Sequence, residues 1–145
     1  MLETYRRLYN KDAKAKEFLY ISDLEAPNQA YTKFLLFFAF NRGAEYDRAV
    51  KFAKEFIQLA KQPTDNKRLL YTYTQMSDLS YTLGDYQESV NYAHRSLELS
   101  KLLRNKKQEV NAYFSLSEAY YQSNKLAESL RIVYVYSTDL IKMNY

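Results

Sequence analysis

The chain of 145 residues contains no cysteine and no tryptophan, and it has only one histidine. Without cysteine, neither a disulfide framework nor a thiolate metal site can form, and we expect no bound metal. The absence fits a reducing compartment, so we expect a cytoplasmic location, with a membrane-anchored or exported parent protein as the alternative.

Glycine and proline are also scarce, with two of each in the whole chain. Folds built mainly from strands need many turns, and turns draw heavily on these two residues. The composition is otherwise that of a globular protein, 47% hydrophobic and 26% charged, and the length suits one domain. We therefore predict a single all-α domain over residues 1–145, with long helices and short connections.

No long apolar run is present either. The most apolar stretch, residues 34–40, is far too short to span a bilayer, and residues 1–7 do not resemble a secretory signal. The net charge of +4 is mild, with one basic cluster consisting of Lys101, Arg104, Lys106 and Lys107. Nucleic-acid binders carry a denser basic stripe, so we interpret the cluster as a solvated loop and keep nucleic-acid contact as the alternative.

What the sequence does contain is a repeat of 40 residues. Tyr46, Tyr86 and Leu126 open three segments of similar sequence at this spacing. Small and branched residues recur in the same register: Ala49, Ser89 and Ser129; Val50, Val90 and Leu130; and Ala53, Ala93 and Val133. Self-similarity at a fixed period is typical of proteins built from stacked structural repeats.

Each repeat divides into two helical stretches, because apolar and small residues return every three or four positions on either side of a break. The breaks fall at Gly43-Ala44, Gly84-Asp85 and Ser123-Asn124. We expect Gly84 to adopt the left-handed conformation that ends many helices. Pro27 and Pro63 fall between repeats, where helices should end. The pattern predicts seven helices and no sheet, near residues 3–21, 28–42, 46–62, 67–83, 86–103, 107–123 and 126–142.

The small residues Ala49, Ser89 and Ser129 follow the opening residue of each second helix by three positions. A short side chain lets two helix axes approach closely, and a large one there would force them apart. We therefore expect the two helices of each hairpin to touch at these three residues.

Residues 81–93 resemble the turn and second helix of a tetratricopeptide repeat, in which a glycine-x-tyrosine turn precedes small residues. Met76, Ser77 and Tyr120 occupy matching positions of first helices. The likeness covers three repeats, residues 30–63, 70–103 and 110–143, preceded by one helix within residues 1–27. It implies a right-handed superhelix of antiparallel helix pairs, an α-solenoid, that binds a protein or peptide and needs no cofactor.

Two residues of the first repeat depart from the family pattern. Lys33 replaces an apolar residue, and Phe37 stands where a small residue is usual. We expect either a splayed first hairpin or a register that is shifted there by one residue. The period of 40 rather than about 34 residues resembles repeat regions of bacterial regulatory proteins, including peptide-responsive regulators and sensor kinases.

The resemblance also places the first helix of each pair on the concave face, where partners bind. The candidate peptide-binding residues on that face are Tyr31, Asn41, Arg42, Tyr71, Thr74, Gln75, Asp78, Tyr81, Asn111, Ser115, Glu118, Tyr121 and Gln122. Tyrosine rings and polar tips can hold an extended peptide, although each residue could equally pack between repeats. We expect Phe34, Phe38 and Phe114, on the same helices, to be packed rather than exposed.

No sequence motif indicates catalysis. We expect the single histidine, His94, to be an ordinary surface residue. Asp78 and Glu118 lie 40 residues apart at equivalent positions, so they could face each other across a groove. We interpret them as polar groove residues and keep an acid–base pair as the less favoured alternative. The sequence therefore favours a protein- or peptide-binding scaffold, part of a larger bacterial regulatory or assembly protein with a role in signalling or transcription regulation.

The last predicted helix contains five consecutive apolar or aromatic residues, 132–136. Because a helix turns by about 100° per residue, these five cover most of its circumference, and a terminal hairpin cannot bury all of them. The expected exposed face has two explanations. Either the native protein continues beyond residue 145, which we favour, or two chains pair as a homodimer through this hairpin.

Overall fold

The computed structural model describes residues 29–144, and nearly all of them lie in helices. Six α-helices follow one another: α1, Gln29–Arg42; α2, Tyr46–Leu59; α3, Asn66–Thr82; α4, Tyr86–Leu102; α5, Lys106–Gln122; and α6, Leu126–Asn144. No strand occurs in this range, which confirms the predicted all-α class for it. None of the described helices is long and apolar enough to cross a bilayer. The predicted helix at residues 3–21 and the break at Pro27 lie outside the described residues.

The helix ends keep the 40-residue period. Helices α2, α4 and α6 start at residues 46, 86 and 126, as predicted. Helices α1, α3 and α5 end at residues 42, 82 and 122, which are again 40 apart. The register of the first repeat is therefore not shifted against the other two.

Helix α2 ends earlier than predicted, at Leu59 rather than residue 62. Pro63 lacks a backbone N–H and disfavours the helical conformation in the residue before it, and Gln62 is indeed extended (φ −92°, ψ 148°). The chain forms a short 3₁₀ helix, Pro63–Asp65, instead. The Asp65 carboxylate accepts a hydrogen bond from the Gln62 N–H at 3.2 Å, which holds this turn in place.

The chain falls into two compact units that divide between Thr72 and Tyr73, inside α3. In the first unit, α1 and α2 form an antiparallel hairpin around four almost fully buried rings, those of Phe37, Phe40, Phe52 and Phe56. The rings of Phe40 and Phe52 stack across the two helices with their centroids 5.5 Å apart. The expected splaying of this hairpin is not observed.

The departure from the family pattern at Lys33 is accommodated by two contacts with α2. Its Nζ lies 2.8 Å from Oε2 of Glu55 and 5.3 Å from the ring centroid of Phe52. The charge is thus paired while it lies against an aromatic ring, so a lysine can occupy a position where an apolar residue is usual.

In the second unit, serine pairs join the two helices of each hairpin. The hydroxyls of Ser77 and Ser89 each donate to the other residue's backbone carbonyl at 2.9 Å, across α3 and α4. Forty residues later, Ser129 donates to the carbonyl of Ser117 at 3.0 Å, across α5 and α6. Ser89 and Ser129 are also buried, so the predicted contact is confirmed in the second unit; their counterpart Ala49 in the first unit is buried as well.

The turns between paired helices share one geometry. Each contains a residue in the left-handed conformation: Ala44 (φ 60°), Gly84 (φ 82°) and Asn124 (φ 60°). The N–H of the next residue donates to the carbonyl five residues upstream at 2.9 Å in all three turns, the closure of a Schellman motif. The prediction for Gly84 is confirmed, whereas in the first turn the left-handed residue is Ala44 and not its neighbour Gly43.

Exchanging alanine and glycine at two equivalent turn positions should shift stability in opposite directions. A Cβ on Gly84 would meet no atom within 4 Å, so only the backbone conformation opposes it. Gly84→Ala should therefore lower the free energy of unfolding by about 1 kcal/mol, and Ala44→Gly should raise it by about 0.5–1 kcal/mol. Urea denaturation measures both effects. A stabilised Gly84→Ala variant would contradict the turn geometry.

Overpacking the serine contact should destabilise the second unit. Ser89→Leu should lower the free energy of unfolding by roughly 1–3 kcal/mol, because a large side chain forces the helices apart. Ser89→Ala keeps the contact small but loses the hydroxyl's hydrogen bonds, at a cost of about 1 kcal/mol. Asn91→Leu, at an exposed position of the same helix, is the matched control and should change Tm little. Equal Tm values for the two leucine variants would refute the packing assignment.

Candidate functional site

An open cavity of about 130 Å³ lies between the first helices of the two repeats in the second unit. It is lined by Asp78 and Tyr81 from α3, by Ser89 from α4, and by Phe114, Ser115 and Glu118 from α5. Four of the residues predicted to bind a partner therefore meet in one place: Asp78, Tyr81, Ser115 and Glu118.

Asp78 and Glu118 reach this cavity because each directly follows a serine that contacts the second helix of its hairpin. Asp78 follows the buried Ser77 by one residue, which turns its side chain by about 100° away from the interior of its own hairpin. Glu118 has the same relation to Ser117 one repeat later. The expectation that these carboxylates line a common groove agrees with the cavity that they share.

Tyr81 connects the two helices across the cavity. Its hydroxyl donates a long hydrogen bond of 3.4 Å to Oε2 of Glu118, and its ring lies edge-on to that of Tyr86, with the centroids 5.5 Å apart. The ring is thus held by packing while the hydroxyl is only weakly engaged. Glu118 keeps most of its capacity to accept hydrogen bonds from a ligand.

Two carboxylates, those of Asp78 and Glu118, make this cavity acidic. Burial against the cavity wall raises the pKa of Asp78, even though part of the residue stays exposed. Among residues 29–144, no lysine or arginine lines the cavity, and neither Asp78 nor Glu118 forms an ion pair. A cation that entered the cavity would therefore gain two carboxylate partners.

Phe114 is the main correction to the sequence-based expectations for this site. We expected it to be packed, but 67% of its surface is exposed, at the edge of the cavity. A phenylalanine is usually assigned to the core because its exposure is unfavourable, so an apolar residue on the groove face was discounted. The available signal was its position, since Phe114 precedes Glu118 by four residues and shares its side of α5.

Phe34 and Phe38, by contrast, are packed as expected. Both rings contact Tyr71, with centroid distances of 5.8 Å and 5.7 Å. Tyr71, a candidate binding residue, is half-buried within this aromatic cluster of the first unit. Tyr31 likewise has a packing contact, because the guanidinium carbon of Arg68 lies 4.5 Å from its ring centroid.

The other candidate residues do not line the cavity. Asn41 and Arg42 belong to the first unit, together with Tyr31 and Tyr71. In the second unit, Thr74 shares a hydrogen bond of 3.0 Å with Ser96 of α4, so its hydroxyl joins the two helices of the hairpin. Gln75 is half-buried. The remaining three are exposed on α5, on either side of the cavity residues: Asn111, Tyr121 and Gln122.

The basic cluster borders a second, wider cavity of about 730 Å³. It is lined by Lys101, Arg104, Lys106, Glu109, Asp139 and Lys142, and Lys107 is not among these residues. Two of the cations have partners: Nζ of Lys101 lies over the ring of Tyr113, and Lys106 pairs with the buried Glu109 at 3.4 Å. A hydrogen bond with Tyr113 raises the pKa of Lys101. Positive charge here is thus partly engaged within the protein.

His94 has a partner on the neighbouring helix. Its Nε2 lies 3.1 Å from the hydroxyl of Tyr120, and the rings meet edge-on at 6.4 Å. It lines neither cavity, and it is exposed as expected.

Comparison with known proteins does not identify a family for this chain. No protein-family model matches it, and no curated protein matches it. The function is therefore inferred from the geometry of the site.

Asp78→Asn should not weaken the fold at neutral pH. Burial raises the pKa of Asp78 in the folded chain, so the unfolded chain loses this proton first as the pH rises. Ionisation of Asp78 therefore opposes folding above its ordinary pKa of about 3.9. The variant should be at least as stable as the original chain near pH 7, with a difference that vanishes towards about pH 3. Urea denaturation across this range measures it, with the exposed Glu98→Gln as control. A less stable variant near pH 7 would contradict the assignment.

Proposed function

We propose that this chain is a tetratricopeptide-like repeat scaffold that binds an extended peptide or a segment of another protein, rather than an enzyme. The bound segment follows the groove between α3 and α5 in the second unit. It places a lysine or arginine side chain between Asp78 and Glu118. The observation that carries the proposal is the acidic cavity beside the exposed ring of Phe114.

The size of the cavity supports a single side chain as its occupant. Its volume is about 130 Å³, whereas pockets for small molecules typically measure about 300–1,000 Å³. One long side chain fills a space of this order, and the open edge leaves room for the peptide backbone that carries it.

The charge and the aromatic edge support a cationic occupant. An ammonium or guanidinium group can donate charge-assisted hydrogen bonds to both carboxylates. The exposed ring of Phe114 can add a cation–π contact or cover the aliphatic stem of the side chain. Tyr81 can turn its weakly held hydroxyl from Glu118 to the ligand.

The surface of α5 supports an extended segment. Asn111, Ser115, Glu118 and Gln122 follow one another at spacings of four, three and four residues, so they share one side of the helix. This polar row is about 16 Å long, which matches about five residues of extended peptide. Amide and hydroxyl groups along it can bond to the main chain of the ligand, while the cavity selects a side chain.

The wider assignment to the tetratricopeptide class is supported by the 40-residue phase of the helix ends and by the recurring turn. A place in the sensing or interaction region of a larger bacterial regulatory or assembly protein follows from the resemblance. A role in signalling or transcription regulation and a cytoplasmic location belong to the same proposal.

A second candidate function is nucleic-acid contact through the basic cavity. The observation in its favour is that Lys101, Arg104 and Lys142 line one open space. The acidic residues Glu109 and Asp139 in the same lining weaken it. Salt-dependent retardation of labelled DNA that is lost in the Arg104→Ala variant would favour this candidate over peptide binding.

Peptide selection should reveal the preference of the groove. We expect an array of random nine-residue peptides, probed with the labelled protein, to be enriched in lysine and arginine and depleted in aspartate and glutamate. For one selected peptide, Asp78→Asn and Glu118→Gln should each weaken binding by about tenfold or more in fluorescence anisotropy, because each removes a charged partner. Phe114→Ala should also weaken it.

Glu98→Gln is the matched control for these variants, since it removes an exposed carboxylate from α4, away from the cavity. It should leave the affinity unchanged, and all variants should keep the circular dichroism of the original chain. Enrichment of acidic peptides, or equal affinities for the Asp78→Asn variant and the control, would refute the proposed site.

A further inference from the structure

Helix α6 has two apolar sides, and only one of them is covered within residues 29–144. Towards α5, Ser129 bonds to Ser117, and the ring of Tyr136 lies 5.9 Å from that of Tyr113. The other side presents six large residues whose exposed fractions range from 37% to 73%: Leu126, Leu130, Val133, Tyr134, Leu140 and Ile141. We call these six residues the α6 outer face.

The α6 outer face forms a stripe along the helix. Four of its residues, together with the small Ser137, follow one another at alternating spacings of four and three residues: Leu126, Leu130, Val133, Ser137 and Leu140. This spacing keeps them on one side over four turns. It is also the spacing with which two helices pack side by side.

The equivalent face of α4 shows that this side of the repeat receives a helix. Val90 and Ala93, the counterparts of Leu130 and Val133, are buried in one cluster with Leu116 and Ala119 of α5. The same side of α6 is larger and more apolar, yet within the described residues no helix covers it.

Helix α6 also differs from α4 in the kind of helix that it can receive. Ala93, His94, Ser100 and Lys101 of α4 correspond to Val133, Tyr134, Leu140 and Ile141. Ala93 and Ser100 are almost fully buried, and small residues of this kind let a neighbouring helix approach closely. The larger Val133 and Leu140 of α6 keep a partner helix farther away. A helix placed on α6 as α5 is placed on α4 would therefore be overpacked at these two residues.

The α6 outer face is large enough for a stable interface. With these exposures its residues present on the order of 700 Å² to solvent, compared with about 800 Å² per partner in a standard protein interface. The largest apolar patch on a typical monomer is about 300–600 Å². A face of this size favours association in water.

We infer that the α6 outer face binds the same face of a second copy of this chain, with the two α6 helices antiparallel about a twofold axis. A twofold axis brings each patch against itself, so no separate complementary surface is needed. With the axis between residues 133 and 134, Leu126 falls opposite Ile141, and Leu130 falls opposite the small Ser137. Large residues then meet apolar or small residues. The pairing uses no residue of the groove and does not depend on the proposed peptide binding.

Sedimentation velocity of the 145-residue chain without peptide tests the pairing. The mass should shift from 17.3 kDa towards twice this value as the concentration rises through the micromolar range. Leu130→Glu and Tyr134→Glu should abolish the shift, and both should keep their helical circular dichroism because these positions are mostly exposed. Val133→Ala combined with Leu140→Ser gives α6 the small residues of α4 and should weaken pairing by at least about tenfold. Phe114→Glu, an exposed position on α5, should leave it unchanged.

Single cysteines test the antiparallel arrangement, and the chain has no cysteine of its own to interfere. Under mild oxidation, Tyr134→Cys, near the axis, should form a disulfide-linked dimer. Leu126→Cys should not, because an antiparallel pair holds the two copies of this position about 20 Å apart. Phe114→Cys, on α5, is the control and measures the disulfide linking that random collisions produce.

A chain that stays at 17.3 kDa at all concentrations, and whose Tyr134→Cys variant links no better than Phe114→Cys, would overturn the inference. Growth beyond the dimer without a limit would overturn the twofold axis. Efficient linking of Leu126→Cys would overturn the antiparallel arrangement. Loss of pairing in the Phe114→Glu variant would show that a different face is used.

Discussion

The close approach of two helices at a small buried residue is the contact on which the rest of this structure depends. At Ser77–Ser89 and Ser117–Ser129, hydroxyls of one helix satisfy backbone carbonyls of the other, so the helices are joined by hydrogen bonds as well as by packing. The partners are 12 residues apart in both hairpins. The same turn joins the helices in both hairpins, with a left-handed residue at Gly84 and, 40 positions later, at Asn124.

The same contact determines what the groove contains. Because the serine faces the hairpin interior, the residue after it points elsewhere, and in both repeats of the second unit this residue is acidic. Two carboxylates therefore come to one cavity without any loop to position them. Because the two residues are held on helices, binding a ligand there would cost little further conformational entropy. Burial raises the pKa of Asp78, and no lysine or arginine of residues 29–144 forms an ion pair with it.

Repetition is what made most of the fold predictable. Three copies in phase fix the starts of α2, α4 and α6 to the residue, whereas the early end of α2 depended on how Pro63 reshapes the residues before it. The site was predicted less well, because spacing places a residue on a face but does not say what its side chain bonds. Thr74 lies on the predicted side of α3, yet its hydroxyl is hydrogen-bonded to that of Ser96 within the hairpin. Phe114 was predicted to be packed because phenylalanine is usually buried. Its position, four residues before Glu118 on the same side of α5, indicated the groove instead.

Deviations from the repeat are therefore as informative as the repeat itself. Where a copy keeps the residues of its neighbours, it keeps their packing, as Ser129 does when it bonds to Ser117. Where it departs from them on an outer side, the packing seen between the other repeats does not account for the residue. Val133 and Leu140 stand at positions where α4 has alanine and serine, and a helix as close as α5 is to α4 cannot pack over them without overpacking. At such a position, a larger residue destabilises a closely packed pair of helices. It adds apolar area to an interface in which the two helices lie farther apart. On our inference, the size of these two side chains is the reason that this face of α6 meets a second copy of the chain rather than a helix placed as α5 is on α4.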